Sequence, residues 1–313
     1  MTLVQAPLLT DGAEHSAQTF RMMLRDMARG SEGVTEGNDL KVTALATPGT
    51  SVQVGDGSGV IKGRSSTWQG HYTAYNIGTE QVPIAATGAS ARTDLVVLRV
   101  MDPAYEGSLN PATDQICFFD VVSNVSSTAI APPAGYTAIA LARITVPAST
   151  SVITDSMITD LRSIANPRRQ TSLLTQSPAS ISTGITGTAG TFSYFSTASG
   201  WSVLVPTWAT LMKINLQVGQ LRYDTNNFFG YLRATFGASL TMQQVALDDN
   251  QGTGVRRGTV VAGDTLTIPT AYQGTIQTLR VQAAGGASNG GGKVYVDGST
   301  TLVAHIEFLE GLQ

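Results

Sequence analysis

The run Leu95-Val96-Val97-Leu98 constrains the fold of this chain more than any other stretch. It is unbroken in apolar character, β-branched at its centre, and bounded by ions: Arg92 and Asp94 before it, Arg99 and Asp102 after it. A run of that length and make-up suits a strand covered on both faces, and such a strand belongs inside a sheet. The four charges then fall where the covered segment reaches the rim, where opposite signs pair without full desolvation. Their role reads as structural, because Arg and Asp alone supply neither a nucleophile nor a proton shuttle.

A chain of 313 residues is long enough for two domains. The spacing predicts one helix, over 12–29. Asp11 and Glu14 make a capping-box-like start, Gly30 a stop, and Ala17, Phe20, Met23, Leu24 and Met27 share a face that should dock on the sheet. After Leu40 the period changes to two. Ser51 to Val54 and Val60 to Lys62 flank Gly55-Asp56-Gly57-Ser58-Gly59, which reads as a hairpin turn. It does not match the spacing of a phosphate loop. Strands follow around Cys117, over Thr137 to Val146, and at Ile158 to Arg162. Ser, Thr, Gly and Pro then dominate 166–190, which predicts an extended linker. From Thr191 onward short strands alternate with turn residues. The expectation is a mainly β protein: an N-terminal helix plus a β-sandwich-like domain over 1–165, a linker over 166–190, and a C-terminal jelly-roll-like β-sandwich over 191–313.

The charge pattern narrows the function. Charged residues are 13% of the chain, against about 25% for an average domain, and the net charge is −3. No basic footprint for nucleic acid is present. One cysteine, Cys117, allows no internal disulfide. No apolar run reaches the length of a membrane span. Met1 to Pro7 lacks a basic segment followed by a long apolar one, so no secretory signal is expected and synthesis in a host cytoplasm is.

Five segments recur here in a familiar order. They are D-G-A-E-H-S-A-Q at Asp11 to Gln18, V-x-V-G-D-G-x-G-x-I-x-G at Val52 to Gly63, and R-T-D-L-V-V-L-R-V at Arg92 to Val100. P-A-G-Y-x-A-I-A-L-A-R-I-x-V at Pro133 to Val146 and I-T-D-L-R at Ile158 to Arg162 complete the set. Together they resemble the N-terminal domain of minor tail and baseplate proteins of tailed phages, especially those of actinobacteria, over roughly 1–165. The resemblance implies a virion attachment module at the tail tip or in a fibre, without catalytic residues to transfer. Other tail and baseplate proteins are then its partners, beside copies of itself, as a homotrimer. Alternatives are a capsid decoration or other external virion protein, and a carbohydrate-active enzyme on the tail.

No catalytic, cofactor or metal site is expected. The three histidines, His15, His71 and His305, lack partners at ligand spacing, and no nucleophile elbow or zinc motif occurs. Asp248 and Asp249 would point to opposite faces of a strand, which is not a glycosidase pair. The expected contact with a host-surface glycan is the loop holding Tyr223, Asp224, Asn226 and Asn227, where a ring sits beside amide and carboxylate groups. Those residues are also ordinary turn formers. Gly285 to Gly292 reads as a flexible surface loop.

Overall fold

The computed structural model describes residues 10–187, 190–196 and 199–313, so the expectation about Met1 to Pro7 lies outside it. The chain divides into two compact units, 1–167 with 312–313, and 168–311. It is mainly β, with a single α-helix among the described residues.

In the first unit every strand pair within the sheets is antiparallel. The largest sheet has the order Ile158–Asp160, Ala138–Val146, Arg92–Val100, Cys117–Val122. Arg92–Val100 is thus an interior strand, and Thr93 to Leu98 are all buried. Val96 and Leu98 face one apolar cluster with Val52, Ile61, Leu141 and Ile144. Leu95 and Val97 face a second, with Ala138 and Tyr136. Burial on both sides is what an unalternating apolar run requires.

Gly55 to Gly59 does not turn a hairpin. Ser51–Val54 pairs with Val42–Ala44 and Glu80–Pro83, whereas Gly57–Lys62 pairs with Gly33–Val34 and His71–Asn76. The glycines carry the chain from one three-stranded sheet to another.

The helix spans Ala17–Met27, shorter than the sequence suggests. Ser16 caps it, its Oγ accepting from the Thr19 amide at 3.2 Å, while Asp11 lies in a preceding turn. Its apolar stripe is not buried: Phe20 is 44% and Met27 68% exposed. Docking runs through the polar side instead. Arg21 Nε donates to the Gln69 carbonyl at 2.8 Å, its guanidinium lies 5.3 Å from the Tyr72 ring and 5.4 Å from the Tyr105 ring, and Gln18 Nε2 donates to the Trp68 carbonyl at 2.9 Å. Gly70, at φ 80°, permits this approach, because a Cβ there would stand 2.6 Å from the Arg21 carbonyl carbon.

The second unit is a β-sandwich. One sheet has the order Arg169–Gln176, Thr301–Leu309, Leu211–Asp224, Arg256–Thr267, with Lys293–Tyr295 added against Leu211–Asp224. The other joins Ser193–Tyr194 and Gly200–Leu204 to Ile276–Gly285, then Phe228–Phe236, which also pairs Leu240–Thr241 and Val245–Asp249. Met212, Ile214, Leu216, Ile306 and Phe308 from the first sheet share one core with Phe228, Leu232, Phe236, Leu279 and Val281 from the second. The supposed linker is therefore partly ordered sheet. Arg169–Gln176 pairs residue by residue with Leu302 to Leu309, with half-buried Ser172, Leu174 and Gln176 alternating with exposed Thr171, Leu173 and Thr175 at strand period.

Candidate functional site

Leu211–Asp224 determines what the expected glycan loop presents. Met212, Ile214, Leu216 and Val218 point into the core. The register against Arg256–Thr267 then slips between Val218 and Leu221, with Gln220 at φ 56°. An added residue reverses the parity of everything after it. Leu221 and Tyr223 therefore turn inward, and Tyr223 is 7% exposed with its ring 6.0 Å from that of Phe228. Tyr223 offers no aromatic face to solvent, which corrects the sequence reading. Burial pushes its hydroxyl up to about 12.

The polar members of the loop hold other loops. Asp224 Oδ2 accepts from Arg222 at 2.8 Å, and that bond, with one from the Thr225 amide, keeps its carboxyl below the usual carboxylate range. Asn226 Nδ2 donates to the Gly290 carbonyl at 3.0 Å, and Asn227 Oδ1 accepts from the Gly252 amide at 2.6 Å. The Gly292 amide donates to the Asn227 carbonyl at 3.1 Å, and a Cβ on Gly292 would meet that oxygen at 2.4 Å. The glycine run is thus packed against the 224–227 loop at this end, where its lack of side chains allows backbone contact.

Asp248 and Asp249 fall on opposite faces. Asp248 is exposed and opposite Phe229, while Asp249 is buried opposite Phe228. Arg256 Nε donates to Asp249 Oδ2 at 2.9 Å.

The charges around Leu95 to Leu98 are structural in their contacts. Asp94 accepts from Arg92 Nε at 2.8 and 2.9 Å, but its side chain has no exposure at all, so this carboxylate is fully desolvated rather than at a wet rim. Arg99 reaches Asp120 at 2.9 Å as well as Glu106, and its guanidinium lies 3.7 Å from the Tyr136 ring. Asp102 accepts from the Tyr72 hydroxyl at 2.8 Å and pairs with Arg21 at 3.4 Å. His71 is buried without a hydrogen-bond partner for either ring nitrogen, and burial lowers its pKa. Among the described residues no three His, Cys, Asp or Glu side chains gather as a metal would need, and no helix is long and apolar enough to cross a membrane.

A different surface brings binding chemistry together. On the six-stranded sheet of the second unit, core residues Leu232 and Ala234 alternate with outward Tyr231, Arg233 and Thr235, and Leu279, Val281 and Ala283 alternate with Arg280 and Gln282. Arg233 stands opposite Gln282, Tyr194 also stands opposite Gln282, and Thr235 stands opposite Arg280, so all of them share the outer side of the sheet, where Gln282 and Thr235 are covered by their neighbours. The Arg233 guanidinium carbon lies 3.6 Å from the centre of the Phe192 ring, and that of Arg280 lies 4.0 Å from the Tyr194 ring. Phe229 and Tyr231 continue the face, edge to face at 5.7 Å. The signal was present in Phe228 to Phe236, whose aromatics occupy both parities: rings at 228 and 236 fill the core and those at 229 and 231 do not.

No protein-family model matches the chain, and no curated protein matches it. Solved structures similar to it include the VP2 subviral particle of infectious bursal disease virus, at 13% identity and a TM-score of 0.26, covering 90% of this chain and 74% of that one. The viral particle of the same virus aligns at 13% identity and a TM-score of 0.24, over 94% and 84% of the two chains. The insecticidal delta-endotoxin Cry8Ea1 from Bacillus thuringiensis aligns at 9% identity and 0.19, over 91% and 55%. Superpositions this loose carry no argument about role.

Proposed function

We propose that this chain is a structural virion protein of a phage tail tip or fibre, and that its second unit meets a glycan on the host surface. The virion assignment is supported by the ordered segments between Asp11 and Arg162, which resemble tail and baseplate proteins. The single observation that carries the binding role is the outer sheet face where Phe192, Tyr194, Phe229 and Tyr231 stand beside Arg233 and Arg280. Rings of this kind cover the apolar face of a sugar while guanidinium groups bind its hydroxyls, and Gln282, itself buried, holds Arg233 in place. The Tyr223 loop contributes by fixing neighbouring loops rather than by stacking.

The role is binding without bond-making, with Asp249 engaged by Arg256 and Asp297 by Arg257. Self-association, as a trimer, is part of the proposal and is supported by exposed Leu173 and Val261 on the other sheet of the second unit, away from the glycan face. Gold-labelled antibody against the chain, imaged on intact particles, is expected to mark the tail tip. Label on the head, or on no part of the particle, refutes the assignment.

A further inference from the structure

We propose that the outer face of the six-stranded sheet takes an acidic polysaccharide, whose carboxylate or phosphodiester groups sit on Arg233 and Arg280. The inference rests on the glycan-binding reading above and names the class of glycan.

Arginine in the second unit is otherwise matched to acid. Arg168 pairs with Glu310, Arg169 with Glu307, Arg222 with Asp224, Arg256 with Asp249 and Arg257 with Asp297. Arg233 and Arg280 have no carboxylate at ion-pair distance among the described residues, and both lie on aromatic rings of the same face. Stacking fixes the guanidinium plane and leaves its N–H edges for an anion. Further bonds hold the arrangement: Arg233 Nε donates to Gln282 Oε1 at 2.8 Å, and the Tyr194 hydroxyl and Thr235 Oγ1 are 2.9 Å apart.

The register adds a second argument. Arg233 lies opposite Gln282, two residues along its strand from Arg280, so the two cations are diagonal neighbours at roughly 7 Å between backbones. Like charges so placed repel, and an anion between them relieves the repulsion. Its guanidinium partners are preorganised to grip a carboxylate or phosphate through paired hydrogen bonds. Tyr231 and Phe229, on the same face, offer ring surface for the sugars between charged groups. A nucleic acid is disfavoured, because two arginines do not track a phosphate backbone and the net charge of the chain is −3.

The test is titration of the full chain with polygalacturonate, poly(glycerol phosphate), neutral dextran and oligothymidylate, at low and at raised salt. Binding is expected to at least one of the first two, which tells carboxylate from phosphodiester. It should weaken with salt and fall roughly a hundredfold in the double variant Arg233→Gln, Arg280→Gln, the effect of losing two charged hydrogen bonds at about tenfold each. Arg233→Lys with Arg280→Lys should retain part of it, which separates loss of charge from loss of fold. Dextran bound as tightly as the acidic polymers, with the Gln variant unimpaired, overturns the acidic ligand but leaves the glycan reading standing. No polysaccharide bound overturns both. Oligothymidylate bound more tightly than either acidic glycan points to nucleic acid instead and overturns the proposal.

Discussion

Arg92 grips Asp94 with its Nε 2.8 Å from Oδ1 and 2.9 Å from Oδ2, although Asp94 has no exposed side-chain surface. The same carboxylate accepts from the Asn124 amide at 2.9 Å, so one buried acid ties its own strand to the segment after Val122. Removing it leaves the Arg92 guanidinium only the Ala85 and Ala86 carbonyls and no counter-charge, and leaves the Asn124 amide without its acceptor. Asp94→Ala is expected to cost about 3 kcal/mol, and Asp94→Asn less, because the amide oxygen still meets Asn124. Urea unfolding of the two variants checks the order.

The helix of the first unit hangs on Arg21 rather than on its apolar stripe. Arg21→Ala removes the bond to the Gln69 carbonyl, the pair with Asp102 and the stacking on Tyr72 and Tyr105. Amide exchange across Ala17–Met27 is expected to accelerate markedly in that variant. Phe20→Ala, at a residue 44% exposed, should change stability by about 0.5 kcal/mol or less. The opposite order would mean that the apolar stripe is the docking face.

Asp297 sets a pH dependence for the second unit. Hydrogen bonds from Arg257, then from the Ser299 amide, and the nearby charges of Arg257 and Arg222 hold its carboxyl down at about 2 against an ordinary 3.8. The unfolded chain therefore takes up the proton first as pH falls. The stabilisation, about 2 kcal/mol, is fully present above pH ~4 and is lost as pH falls through about 2. Unfolding free energies measured down that range should fall in the parent and change less in Asp297→Asn.

Two tyrosines on strands of the two different sheets should separate stability from binding. Tyr223 is buried against Phe228, so Tyr223→Ala is expected to cost about 3 kcal/mol or more. Tyr231 faces outward beside Phe229, so Tyr231→Ala should cost about 1 kcal/mol or less and weaken glycan binding. Thermal melts and titrations of both variants, run together, distinguish the roles.

The apolar run at Leu95 to Leu98, the period-two segments after Thr191 and the mainly β class were all legible in the sequence, because burial demand and strand period are local properties. Ser16 as helix cap was within reach as well, but Asp11 offered an equally good local signal and only packing chose between them. The candidate site depended on a relation between distant residues. Residues 212 to 218 announce which parity is inward, and by that rule Tyr223 faces solvent. The bulge that reverses it is held from afar, the Gln220 carbonyl accepting from Arg257 Nη1 at 3.1 Å and from Thr300 Oγ1 at 3.2 Å. No local propensity encodes that slip. In the same way, Phe192 and Tyr194 meet Arg233 and Arg280 only because Ser193–Tyr194 and Phe228–Phe236 both pair with Ile276–Gly285. The sequence by itself determined that strands would form and that the run at Leu95 to Leu98 would be buried. Only the tertiary pairing decided which side chains look outward, since long-range hydrogen bonds set the register and the register sets the face.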